Sequence, residues 1–154
     1  MRKKDMEKIR LSEHFSLAEM TRTSVKGVSN TPSAQVIGNL RHLCNEWLEE
    51  LRDEWNARYG DGDDPILINS GYRSQAVNRA VGGVTTSNHL TGCAADIRVS
   101  GIEQLLRYAT ILLDLSDENG TDFDELLLER KGNSMWLHFA VRPTGNRRKV
   151  KLLN

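Results

Sequence analysis

Between Thr31 and Tyr59 the apolar positions Val36, Leu40, Leu43, Cys44, Trp47, Leu48, Leu51 and Trp55 recur at steps of three and four, with Arg, Glu and Asn between them. That period predicts one long helix with a single buried face. Pro32 suits its first turn, and the stretch Gly60-Asp61-Gly62-Asp63-Asp64-Pro65 stops it. Ile102, Leu105, Leu106, Ala109, Leu112 and Leu113 predict a second amphipathic helix, opened by Ser100-Gly101-Ile102-Glu103 with the spacing of a capping box. Ser16 and Glu19 have the same spacing ahead of a short helix, and Ser74 can cap another over 75–81. Residues 21–30, rich in Thr, Ser, Gly and Asn, read as a loop.

The strand pattern is different. Residues 65–72 read as a buried strand and 94–100 as another, while 123–130 and 136–142 predict a hairpin turning at Lys131-Gly132-Asn133-Ser134. Alternation puts Asp96 and Arg98 on one side of their strand and Ile97 and Val99 on the other. It likewise opposes Trp136, His138 and Ala140 to Leu137, Phe139 and Val141, and gathers Phe123, Glu125, Leu127 and Glu129 on one side.

Composition narrows the classes. A chain of 154 residues is one domain with room for a core. Its 21 basic and 21 acidic side chains cancel, so no overall field recruits nucleic acid. The first ten residues and the segment 143–154 are basic and read as solvated tails of a single 1–154 domain. No apolar run approaches the roughly 20 residues of a membrane span, and the basic N-terminus lacks the apolar stretch of a secretory signal. The expectation is a product made in the cytoplasm that needs release or export by another route to work outside. Without a heptad run, a monomer is expected. Cys44 and Cys93 have no CxxC spacing and read as free thiols, Cys93 as the accessible one. The Asp-rich loop lacks the ligand spacing of an EF-hand, and His14 and His42 read as a surface or capping residue and a core-flanking one.

Candidate chemistry lies in Ser87-Asn88-His89-Leu90-Thr91-Gly92-Cys93-Ala94-Ala95-Asp96, where an imidazole and a carboxylate stand seven residues apart across a glycine. A third ligand would come from His138 on the last predicted strand. Zinc accepts imidazole nitrogen and carboxylate oxygen, and a catalytic zinc keeps three protein ligands and one open position. Gly92 permits the tight turn that brings His89 back toward Asp96. Arg73, at the junction before a short helix, has the planar donors that stabilise a carbonyl oxygen gaining charge.

The string Ser-x-His-x-x-Gly-x-Ala-x-Asp, preceded by Asn69-Ser70-Gly71-Tyr72-Arg73-Ser74 and followed by Trp136-x-His138, resembles the zinc D-alanyl-D-alanine peptidase family, in its phage and bacterial peptidoglycan branch. The resemblance covers roughly residues 11–147. It implies an α+β chain of the Hedgehog/DD-peptidase type, with a central antiparallel sheet flanked by helices. It implies Zn2+ on His89, Asp96 and His138, Arg73 as the group that binds and polarises substrate, and Ser87 and Tyr72 as substrate-binding residues. The implied substrate is a peptidoglycan stem peptide, cut at a bond involving a D-amino acid by a carboxypeptidase or an endopeptidase of the endolysin kind. One position departs from the pattern: many members carry Glu or Asp three residues before the last histidine, and here Met135 stands there. Glu129 becomes the expected general base, with Glu125 behind it. The alternatives are a catalytically inactive zinc-containing wall-binding module and a virion assembly protein of the same fold.

Overall fold

The computed structural model describes residues 1–154. Five strands form one sheet: β1 Ile68–Ser70, β2 Ala94–Arg98, β3 Glu125–Lys131, β4 Ser134–Ala140 and β5 Lys149–Leu153, in the order β1-β2-β4-β3-β5. The first three neighbouring pairs are antiparallel, as expected, and β5 runs parallel to β3, which makes the sheet mixed. The hairpin β3–β4 closes through Gly132 and Asn133, with Gly132 at φ +61°. β1 is only three residues long, shorter than the predicted strand, and Leu67 beside it is exposed.

Segment 143–154 is not a solvated tail. Arg147 and Arg148 bond to acidic groups around Asp124 and Ser116, and the chain then lies down as β5. The basic start is also anchored: after helix α1, Lys3–Met6, Arg10 pairs with Ser16 and Leu17 N–H donates to Ile9 O.

The predicted long helix is continuous from Ala34 to Arg58, built of α3 Ala34–Leu43, a π-helical turn Cys44–Leu48 and α4 Glu49–Arg58. All its predicted apolar positions are buried except Trp55, which is half-buried. The second long helix is Ile102–Asn119. Its buried face is rotated from the predicted one: Leu105, Tyr108, Ala109, Ile111, Leu112 and Leu115 face inward, while Ile102 and Leu106 are exposed. The predicted capping box is absent there; Gly101 is the N-cap, and Ser100 N–H donates to Gln104 Oε1 instead. The caps at Ser16 and Ser74 form as expected, on helices Leu17–Thr21 and Gln75–Ala80.

Both long helices cover one face of the sheet. Ile97, Leu126, Leu137 and Phe139 are fully buried there, and Trp47 meets Phe123 and Phe139 at ring separations of 6.5 and 5.2 Å. Burial of this size is the main favourable term of folding, about 25 cal/mol for each Å² of apolar surface removed from water. Because strand side chains alternate, the residues between these point to the opposite, uncovered face. Asp96, His138, Glu125, Leu127, Glu129 and Trp136 all stand on it. No helix is long and apolar enough to cross a membrane.

Candidate metal centre

The uncovered sheet face is the floor of a cleft of about 740 Å³, which holds His89, Asp96 and His138 together with Arg73, Ser87 and Glu129. Metal-ligating atoms of the two histidines and the aspartate all lie within 4.8 Å of one another. A hollow of similar size, about 770 Å³, lies between the N-terminal helix and residues 21–31, but it contains no histidine or cysteine.

Two devices position the three candidate ligands. Asp96 and His138 are direct partners across the β2–β4 ladder, so their side chains rise side by side. His89 sits in the 3-10 turn Asn88–Thr91, capped by Ser87, whose Oγ accepts from His89 N–H. Gly92 ends that turn at φ +73°, and a Cβ there would meet Val36 O and Cγ1 at 2.8 Å. The predicted role of this glycine in returning His89 toward Asp96 is thus joined by a second one, close packing on α3.

Ring orientation follows from the second partners. His89 Nδ1 lies 2.6 Å from Gly71 O. A carbonyl only accepts, so Nδ1 carries the proton; in the neutral ring Nε2 then keeps a lone pair that, with Asp96 Oδ1 3.3 Å away, would converge on a cation held between them. His138 places Nδ1 3.1 Å from the same Oδ1, and its Nε2 3.0 Å from Glu125 Oε1. A tetrahedral zinc site with bonds of about 2.0–2.1 Å has ligand atoms roughly 3.3 Å apart, so these separations suit the ion. Backing of each imidazole by a carbonyl or carboxylate is the usual second layer of a metal site. On the donor set, its spacing and its backing, the residues fit zinc.

Electrostatics agrees. Burial disfavours the Asp96 carboxylate, but the charges and hydrogen bonds of His89 and His138 outweigh it and hold the group well below the ordinary range. For His138, burial opposes the cation, yet the bonds to Asp96 and Glu125 raise it to about 9. The bond from His138 brings Glu125 down to about 2 against the opposing effect of burial. Asp96 and Glu125 together therefore favour positive charge between them, which the His138 imidazolium supplies here.

Other predicted residues divide. Arg73 reaches the cleft, but its Nη2 donates to Asp96 Oδ2 at 3.0 Å, its Nε to Ser70 Oγ and its Nη1 to Asn78 Oδ1. That ion pair fixes Asp96 Oδ2 and leaves Oδ1 toward the two histidines. Tyr72 is half-buried against the core and does not line the cleft. Met135 alternates onto the core side of β4, where it packs against the apolar cluster. Glu129 stands one row along from His138, pairing with Trp136, whose Nε1 donates to its Oε2 at 2.9 Å. Burial and the Asp96 charge raise its carboxyl above the ordinary value. Glu125 also lines the cleft, but its Oε1 is engaged by His138 Nε2 and Asn88 Nδ2. Cys93 is buried, not accessible, and burial raises its thiol. His14 pairs with Glu49, and His42 is exposed on α3.

Sequence reasoning missed the layer beneath. Asn88 is buried, and its Nδ2 donates to Asp124 Oδ2 at 2.8 Å and Glu125 Oε1 at 2.7 Å while its Oδ1 accepts from Arg142 Nε. Asp124 is completely buried under Arg142 and Arg147. The one signal available was adjacency, since Asn88 precedes a ligand and Asp124 precedes Glu125.

Comparison with known proteins agrees with this geometry. A zinc D-Ala-D-Ala carboxypeptidase from Streptomyces albus G is 48% identical over 40 residues, which is 26% of this chain and 16% of that protein. The match therefore spans under a fifth of the relative's length. A model of the peptidase M15 family matches residues 13–116, a stretch that includes Arg73, His89 and Asp96 and stops before His138. The chain belongs to the peptidase M15 family.

Proposed function

We propose that this protein is a zinc-dependent peptidase of the Hedgehog/DD-peptidase type that hydrolyses peptidoglycan stem peptides at a bond involving a D-amino acid. The observation that carries the reading is the convergence of His89, Asp96 and His138 in one open cleft. The carboxypeptidase name of the Streptomyces relative supports the substrate class.

A zinc ion at such a site supplies Lewis acidity to a scissile carbonyl and lowers the pKa of a water molecule toward neutrality. The chain's own residues do the rest. His89 and His138 offer Nε2 and Nδ1, held in place by Gly71 O and Glu125. Asp96 offers Oδ1, with Oδ2 tied to Arg73. Glu129 accepts the water proton and returns it to the leaving amine; its raised pKa brings it nearer the working range of a general base. The Trp136 bond to Oε2 leaves Oε1 free for that exchange. Ser87 and Arg73 border the cleft where substrate enters. A proton-accepting carboxylate on the site face supports catalysis over a binding-only role, despite Met135.

Release of amino groups from purified peptidoglycan, measured together with zinc content, tests the reading. The expected result is about one zinc per chain and hydrolysis that disappears on chelation and in His138→Ala, which also loses its zinc. Bound zinc with every stem peptide left intact would reduce the protein to a wall-binding module.

A further inference from the structure

The face that carries the metal centre continues past it onto β5. Glu125 pairs with Lys149, Leu127 with Lys151 and Glu129 with Leu153, so alternation places Lys149, Lys151 and Leu153 on the cleft side. Asp96, His138, Leu127 and Lys151 form one row across the sheet. Lys151 thus stands two strand spacings from His138, on the order of 10 Å. Lys149 and Leu153 line the cleft itself, as do Arg142 and Arg147 at the Glu125 end.

The charges on this margin do not cancel. Asp124 is a single buried carboxylate shared between Arg142 Nε at 3.1 Å and Arg147 Nη2 at 2.8 Å. Arg142 makes its bonds through Nε alone, which leaves both terminal nitrogens for a ligand. Glu125 is engaged by His138 and Asn88. Lys149 and Lys151 form no ion pair, although the whole chain is neutral. The remaining acids facing the cleft, Asp96 and Glu129, are held by Arg73 and Trp136.

We propose that the β5 margin, Lys149 and Lys151 together with Arg142, is a subsite for a free carboxylate on the bound peptide, at a residue away from the bond that is cut. The proposal rests on the peptidase reading and adds a preference to it: acidic stem peptides over their carboxamide forms. Guanidinium and ammonium donors on an extended edge suit a carboxylate carried by an extended chain.

The test uses paired synthetic stem peptides, identical except that one acidic residue carries a carboxylate or a carboxamide. Binding is measured on the chelated protein, where no turnover intervenes, and KM and kcat on the zinc-loaded one. The wild-type protein is expected to favour the carboxylate peptide by roughly three- to tenfold, through KM and more strongly at low salt. The preference should fall to near one in Lys149→Gln/Lys151→Gln and reverse in Lys149→Glu; neither lysine is buried, so folding is checked but not threatened. If both peptides are cleaved equally by wild-type protein, the subsite is overturned and the peptidase stands. If neither is cleaved but the binding preference exists and vanishes in the variants, the peptidase reading fails and the subsite stands. Equal or absent binding of the two peptides, with polyphosphate binding tightly, overturns the proposal in favour of a general polyanion surface.

Discussion

Asn88 shows how much a single amide can decide at the residue scale. It uses both N–H groups and its oxygen on Asp124, Glu125 and Arg142, and Glu125 in turn fixes His138. Second-layer partners of metal ligands typically matter by ten- to a hundredfold in affinity. Asn88 lies one bond beyond Glu125, so Asn88→Ala is expected to weaken zinc binding by the lower end of that range, roughly tenfold, in a competition assay with a chromophoric chelator. Unchanged affinity would mean that Glu125 holds His138 without help. Glu129 belongs to the same scale but to a different step. Glu129→Gln should retain zinc and stability while kcat falls by about a hundred- to ten-thousandfold, the usual contribution of a positioned base. A variant with full kcat would transfer the role to another group.

At the scale of elements, the site depends on two joints. One is the 3-10 turn Asn88–Thr91, which ends at Gly92 in a left-handed conformation against α3. Gly92→Ala adds a Cβ at φ +73° and 2.8 Å from Val36 O, so the turn must shift. The expected cost is about 2 kcal/mol or more in urea unfolding, accompanied by weaker zinc binding because His89 rides on the turn. Lost stability with intact affinity would show that the turn can move without its histidine. The other joint is Gly71, where a Cβ would collide with Met20 O and whose own carbonyl fixes the His89 ring.

For the molecule as a whole, Asp124 ties the C-terminal segment to the domain. Burial raises its carboxyl, but bonds from Arg147 and Asn88 outweigh that and bring it from 3.8 to about 2. A carboxyl lowered on folding contributes stability at pH above its unfolded value and loses it as pH falls through the folded one. The contribution, about 2 kcal/mol, should be present above pH ~4 and disappear toward pH ~2. In metal-free protein, stability should fall more steeply across that window in the wild type than in Asp124→Asn, which starts lower and stays flatter. Parallel curves would assign acid sensitivity to other carboxylates.

Local pattern was enough for much of the result. The helical period around Trp47, the strand alternation around Asp96 and His138, and the Ser-x-His-x-x-Gly-x-Ala-x-Asp string were legible because each depends on neighbours within a few residues. They determined the α+β class, the candidate ligand trio and the side of the sheet where it stands. Tertiary structure decided the rest. The rotated face of Ile102–Asn119, the parallel course of β5, the capture of Arg73 by Asp96 and the burial of Asp124 and Cys93 all follow from contacts between segments far apart in sequence. Such contacts are set by which surfaces the packed core brings together, a quantity that local composition does not encode.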